Sequence, residues 1–290
     1  METATKSSLS CRAWTINALF QGLRLYSRYF PFKRGRGIFI RVIEFLKDRG
    51  WPSPLSTISD GLTMEFEPSL LGWTVFESGS WEREQTALIR SYLHPGAVVL
   101  DIGANTGYFV LLAAAAVGAD GHVHAFEIQR RMLDILHRNV ARNGFQQIVT
   151  VVEAGCFSAE GMATIEARGD PGSARIAFAA TGGRVPVTTI DRYATAHAID
   201  RIDLILVDAE GADLEILKGG REALARFRPV VMAEVNHLEA FGGTEQAMHA
   251  FMAGLGYSAR PLQSEFSRDL LFVPLEHDSR RGDARRALTH

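Results

Sequence analysis

The spacing of apolar residues changes along the chain. Between residues 14 and 47 it is helical. Trp14, Leu19, Phe20, Leu23, Tyr26 and Phe30 roughly mark one face, Pro31 ends it, and Ile38–Lys47 predicts a second short helix with Ile43, Phe45 and Leu46 buried. From 60 to 80 the pattern alternates through Leu62, Met64 and Phe66, then Trp73, Val75 and Phe76. With Asp60-Gly61 and Pro68 as turn signals, this predicts short strands in a hairpin. Ser80 is the expected cap of a helix Trp81–Leu93, stopped by His94-Pro95-Gly96. Beyond residue 97, unbroken apolar runs alternate with helical segments. Val98–Ile102, His122–Glu127, Ile148–Val152, Leu204–Val207 and Val230–Ala233 read as strands. Thr106–Val117, Arg130–Asn143, a stretch through Leu214, Leu217 and Leu224, and Glu245–Gly254 read as helices.

Apolar runs without alternation mean strands covered on both faces, so this βαβ series predicts a parallel sheet between helices. Ser258–Leu262 and Leu270–Val273 follow with no helix-length link between them, so they pair antiparallel. Between the third and fourth parallel strands, Met162–Glu166, Ala174–Ala179 and Val185–Thr188 predict a small β insertion at about 156–200.

Composition narrows this only a little. At 47% hydrophobic and 22% charged residues the chain is globular, not disordered or collagen-like. The formal net charge of -2 gives no electrostatic case for a nucleic-acid partner. The charge is uneven, with +7 on residues 1–50 and -9 on the rest. Arg24, Arg28, Lys33, Arg34 and Arg36 make the N-terminal segment either a basic cap docked on the acidic body, with Trp14, Phe20 and Leu23 inward, or a contact for an anionic membrane surface; docking is favoured. Cys11 and Cys156 form no disulfide framework, no apolar stretch is long enough to span a bilayer, and the run 13–20 contains Asn17 and reads poorly as a signal peptide. A cytoplasmic protein is expected.

The chemistry concentrates in Val98–Phe109, VVLDIGANTGYF. A buried strand ends in an acid, and the turn Gly103-Ala104-Asn105 leads through Gly107 into a helix. Such a turn brings backbone N–H groups to a ligand, and Gly103 and Gly107 remove Cβ atoms from its path. The spacing is not G-x-G-x-x-G, and Asp101 in the mouth of the loop suits a cationic ligand better than a pyrophosphate. S-adenosylmethionine, with its ammonium and sulfonium, fits on charge grounds. Glu127, 26 residues after Asp101, can accept hydrogen bonds from ribose hydroxyls.

These motifs, with HAFE at 124–127, DLILVDAEGADLEILKGG at Asp203–Gly220 and VVMAEVN at Val230–Asn236, resemble the FkbM family of S-adenosylmethionine-dependent methyltransferases over roughly residues 75–275. Asp208-Ala209-Glu210-Gly211 with Glu215 and Lys218-Gly219 is the more specific part. The sequence departs from the family pattern at Ile128, where Pro often follows the acid, and at Ala209, where Val or Thr is common. The resemblance implies methyl transfer to a hydroxyl on a sugar, glycolipid or polyketide-like acceptor. The expected fold is a Rossmann-like class I methyltransferase α/β domain over 60–275, a seven-stranded mostly parallel sheet with a terminal antiparallel strand. A basic helical extension (1–59) precedes it and a flexible basic tail (276–290) follows.

On the acceptor side, Asp208 and Glu210 end the fourth parallel strand, Glu234 and Asn236 end the fifth, and His237 follows. Three readings stay open. Asp208, Glu234 and Asn236 hold a divalent cation that activates the hydroxyl; one of Asp208, Glu210, Glu234 and His237 is a general base; or Asp208 and Glu210 only fix the loop. Two other functions compete, a nucleotide-dependent oxidoreductase and a non-catalytic S-adenosylmethionine-binding protein. Cys156 reads as a small buried residue near the adenine. Asp191 reads as the cap of the segment before Tyr193, and Glu82 and Glu84 as helix-surface acids with the methionine ammonium as their alternative partner. Neither the acceptor nor the oligomeric state is legible.

Overall fold

The computed structural model describes residues 14–18, 45–46, 49, 55–58, 61–65, 70–167, 174–177, 184–264 and 267–277. Arg24, Arg28, Lys33, Arg34 and Arg36, together with Phe20, Leu23, Ile43, Phe66 and the basic tail beyond residue 277, lie outside the described residues. Strands β1 (Leu55–Thr57) and β2 (Thr63–Glu65) form an antiparallel hairpin, followed by helices α1 (Leu70–Ser78) and α2 (Arg83–Tyr92). The alternating series then runs β3 (Val98–Ile102), α3 (Tyr108–Val117), β4 (His122–Phe126), α4 (Arg130–Arg142) and β5 (Val149–Val152). The insertion holds β6 (Gly155–Cys156), β7 (Gly161–Ala167), β8 (Ala174–Ala177) and β9 (Arg184–Thr188). After α5 (Ile190–Ala196) come β10 (Leu204–Val207), α6 (Asp213–Lys218), α7 (Arg221–Phe227), β11 (Val230–Glu234), α8 (Glu245–Gly254), β12 (Tyr257–Leu262) and β13 (Asp269–Pro274).

Seven strands form one sheet in the order β12-β13-β11-β10-β3-β4-β5. All neighbours from β11 to β5 are parallel, and β13 is antiparallel to both β11 and β12. The antiparallel strand is therefore last in the chain but lies inside the sheet. The continuous apolar runs are explained by burial on both faces. Val99, Val123, Leu204 and Val230 pack on one side with Val110, Ala113 and Leu136, while Leu100, Ile205 and Val231 pack on the other with Leu214, Leu217 and Met248. The insertion folds as a separate four-stranded sheet, β6-β9-β7-β8.

Several local expectations are corrected. Trp73, Val75 and Phe76 lie in helix α1, not in a strand. Glu82, at φ 40°, occupies the N-cap of α2 and makes no side-chain capping bond, so Ser80 is not the cap. The stretch from Leu214 to Leu224 is two helices, with the break at Gly220 (φ -110°, ψ 18°); beside it Gly219 backs onto Phe157, where a Cβ would lie 2.1 Å from the carbonyl oxygen. Trp14 is 74% exposed and Phe45 is exposed, whereas Ile16 is buried and the Asn17 side chain accepts from Leu55 N at 3.0 Å.

The hairpin is held to the sheet through α4. Asn139, fully buried, donates to the carbonyls of Glu65 and Thr106 (both 2.8 Å) and accepts from Glu65 N (2.7 Å). Asn143 pairs with Thr63 in the same way, and Arg138 makes a two-pronged ion pair with the Glu65 carboxylate. One amide thus ties the hairpin to the loop that follows β3. Asn139→Ala leaves buried backbone groups without partners and is expected to cost about 2–4 kcal/mol. Urea unfolding checks this, and a loss below about 0.5 kcal/mol would show that the hairpin is not held through this residue.

Candidate active site

The chain leaves β3 toward β4 and β5, then returns on the other side with β10. The crevice at the carboxyl ends of β3 and β10 is the switch point where open α/β sheets bind ligands. A cavity of about 270 Å³ opens there. Its floor is two loops in close contact. Gly103 (φ 93°) approaches the Asp208 backbone so closely that a Cβ would lie 1.8 Å from the Asp208 carbonyl oxygen. At Gly107 (φ 92°) a Cβ would meet Leu136 Cδ1 at 2.5 Å. Gly103 is therefore required by backbone packing and by positive φ, and Gly107 by positive φ; clearing the ligand's path, as expected from the sequence, is not needed to explain them. The amides of Gly103 and Ala104 both donate to the Phe126 carbonyl, at 3.0 and 2.9 Å, which lashes the turn to the end of β4.

Glu127 is held by three backbone amides. Asn105 N reaches one oxygen at 2.8 Å, and Ile128 N and Gln129 N reach the other at 2.7 Å. Burial nonetheless raises its pKa, against the lowering effect of those bonds. The carboxylate is pre-oriented at the cavity wall with capacity left for a hydroxyl donor. Asp101 is 4% exposed, and its Oδ2 has no hydrogen-bond partner among the described residues. Burial, with the charges of Asp208 and Glu127, pushes its pKa up to about 8. A buried, unpartnered carboxylate oxygen beside a cavity is what an ammonium group would satisfy.

A second group of acids lines the same cavity. Glu234 is opposite Asp269 in the β11–β13 ladder, and Asp208 extends β10 beside β11. Asp208 keeps accessible surface, but that surface faces the cleft and protein surrounds the group, so it behaves as desolvated. Its pKa is raised by burial and by Asp269 and Glu210, while a hydrogen bond from Glu234 pulls it down. The pKa of Glu234 is also raised, by burial and by Asp208 and Asp213, so the two acids titrate as a coupled pair. Glu210 lines the cavity with φ 53°. Asp213, fully buried, accepts from Ala209 N (3.4 Å) and Gly211 N (3.2 Å), and its pKa lies well above the usual carboxylate range, first through burial and then through Asp208. Asp213 is therefore a side chain that shapes this loop.

The other candidates fall elsewhere. Asn236 donates to Glu234 Oε1 at 2.8 Å and does not line the cavity. His237 (φ 59°) is half-exposed outside the lining, with Nδ1 3.8 Å from Glu239. Among the described residues no three His, Cys, Asp or Glu side chains gather as a metal site. Cys156 lines the cavity and is buried, which raises its pKa. Asp191 caps α7 instead of α5, accepting from Glu222 N (3.0 Å) and Ala223 N (2.8 Å), while Thr189 caps α5. Glu84 is a surface partner of Arg260. Glu82 is buried in the cavity wall, which corrects its reading as a helix-surface acid. Gln85 and Asp269 are also lining residues, joined at 2.6 Å, and no sequence motif marks them; the alternation of helix α2 and the acid opening β13 were the available signals.

The sheet order and the crevice define a class I methyltransferase fold. The family model described as the methyltransferase FkbM domain matches residues 101–259, and the chain belongs to that family. It is 32% identical over 78 residues to demethylmenaquinone methyltransferase of Symbiobacterium thermophilum, covering 27% of this chain and 31% of that one. It is 28% identical over 118 residues to ribosomal protein L11 methyltransferase of Carboxydothermus hydrogenoformans, covering 39% and 36%. The matches thus span about a third of these relatives' own lengths. Among solved structures, the methyltransferase FkbM from Methylobacillus flagellatus KT aligns with TM-score 0.44 at 15% identity over 69% of this chain and 52% of that one. An O-methyltransferase from Bacillus cereus in complex with SAH aligns with TM-score 0.41 at 18% identity over 65% and 78%.

S-adenosylmethionine is the cofactor, and the residues fit it: Asp101 would meet its ammonium and Glu127 its ribose hydroxyls. Glu127→Ala is expected to weaken binding of the product, S-adenosylhomocysteine, by about 1.5–3 kcal/mol; an unchanged affinity would remove Glu127 from the site. The raised pKa of Asp101 adds a pH signature. In the free protein the folded state binds the extra proton between about pH 4 and pH 8, so this group's contribution to stability is full below that window and is lost as pH rises through it. Ligand ammonium reverses the preference. Product binding should release a proton at pH 7 and tighten by up to about tenfold per pH unit below 8. Calorimetry in buffers of different ionisation enthalpy measures this; binding heats independent of buffer would contradict it.

Proposed function

We propose that the protein is an S-adenosylmethionine-dependent O-methyltransferase acting on a hydroxyl of a sugar, glycolipid or polyketide-like small molecule. The observation that carries this reading is the juxtaposition of Asp208 and Glu234 at the ends of the neighbouring strands β10 and β11, both lining the cavity beside the cofactor crevice of β3. When bound, the cofactor supplies the methyl group, the acceptor oxygen forming the new O–C bond as the C–S pair departs with sulfur. Asp208 accepts the hydrogen bond of the acceptor hydroxyl and then its proton. Glu234 on the neighbouring strand steadies Asp208, and Asn236 holds Glu234. Asp213 fixes the loop that presents Asp208. Most of the remaining catalysis is alignment and exclusion of water.

A small acceptor is favoured over nucleic acid because the cavity lining is acidic and would repel phosphates. No helix of the described residues is long and apolar enough to cross a membrane, and the free thiol of Cys156 fits a reducing cytoplasmic setting.

Asp208→Asn tests the assignment, because it keeps size and removes the proton acceptor. Affinity for S-adenosylhomocysteine should stay within about threefold, while methyl transfer to a panel of hydroxylated acceptors falls by about 100-fold or more. Equal loss of both would reduce Asp208 to a loop-shaping residue.

A further inference from the structure

We infer that the acceptor carries a protonated amine close to the hydroxyl it presents, recognised by Glu82, Gln85 and Asp269 beside the Asp208–Glu234 pair. The inference rests on reading this site as that of a methyltransferase and names its substrate class. Three neighbouring strand ends each carry a carboxylate into the cleft: Asp208 after β10, Glu234 at the end of β11 and Asp269 at the start of β13. Glu82 and Glu210 add two more. Among the described lining residues the single basic side chain is Arg175, which is paired with Glu166 at 3.0 Å. S-adenosylmethionine brings one net positive charge, and Asp101 and Glu127 already face it. The acids at the acceptor end have no basic side chain beside them among the described lining residues other than the paired Arg175, which favours a cation and disfavours a phosphate.

An independent observation points to a donor-rich ligand. Gln85 is 4% exposed; its Nε2 donates to Asp269 Oδ2 at 2.6 Å, and its Oε1, an acceptor, has no hydrogen-bond partner among the described residues. An ammonium has three donors and no acceptor, so it can serve Gln85 Oε1 and neighbouring carboxylates together. The wall around it is already organised. Ser264 Oγ donates to Glu82 Oε1 (2.6 Å) and contacts Ser267 Oγ (3.0 Å), which donates to Asp269 Oδ2 (2.8 Å). These bonds fix both acids before a ligand arrives, so recognition costs little reordering.

Three sugars matched in ring size test this: glucosamine, glucose and glucose 6-phosphate. Saturation-transfer NMR on the full-length protein saturated with S-adenosylhomocysteine detects weak binders. Glucosamine should receive at least threefold more saturation than glucose, with glucose 6-phosphate lowest. The preference should disappear in Glu82→Gln/Asp269→Asn, while affinity for S-adenosylhomocysteine, measured separately, stays within about threefold. Equal transfer to the three sugars, no transfer to glucosamine, or a preference for the phosphate would overturn the inference. So would a preference that survives in the double variant. Failure of S-adenosylhomocysteine to bind at all would instead sink the methyltransferase reading beneath it.

Discussion

A carboxylate buried at the end of a parallel strand is tolerated only if something offsets its charge. Here Asp101, Asp208 and Glu234 end three adjacent strands of one sheet, and Asp269 opens the antiparallel strand beside them. Burial raises the pKa of each, and for Asp101, Asp208 and Glu234 the neighbouring carboxylates raise it further. In the free protein those raised pKa values favour partial protonation of the group. Helix α3 adds partial positive charge, because its N-terminus faces the same edge. The arrangement costs stability in the absence of a cation and gives affinity in its presence. Structure and function meet in that exchange.

Holding such groups in place demands rigid surroundings, and local packing supplies them. Gly103 lets the first loop rest on the Asp208 carbonyl, so the cofactor turn and the acceptor-side loop form one unit. The Phe126 carbonyl anchors that turn from the β4 side. Asp213 anchors the second loop from beneath, and Asn139 connects the first loop to the hairpin 55–65 through Thr106. A change in any of these contacts moves a carboxylate relative to its neighbours, although none of these groups needs to touch a substrate.

Much of this was legible in the chain. Residues buried on both faces left unbroken apolar runs, so the strands Val98–Ile102, Leu204–Val207 and Val230–Ala233 could be read directly, and with them the edge where Asp101, Asp208 and Glu234 gather. Asp101 stood out as an acid beside a glycine turn, and Glu127 as the acid that closes the next strand. Residues whose roles depend on distant packing could not be read. Gln85 and Asp269 lie 184 positions apart and meet only because β13 inserts between β11 and β12. Asp191 caps a helix 30 residues later, and no spacing rule predicts that. Trp73–Phe76 alternate like a strand but are helical, and a run that short does not separate the two periods. His237 was one of the candidate bases, yet a left-handed turn at that residue accompanies a half-exposed side chain outside the cleft.

The central claim is that Asp101 is held protonated until a cation arrives. Carboxyl ¹³C NMR of Asp101, assigned by comparison with Asp101→Asn, observes that proton directly. At pH 7 the free protein should give the shift of a carboxylic acid, and addition of S-adenosylhomocysteine should move it to that of a carboxylate. An ionised Asp101 in the free protein, or a shift unaltered by the ligand, would contradict the account.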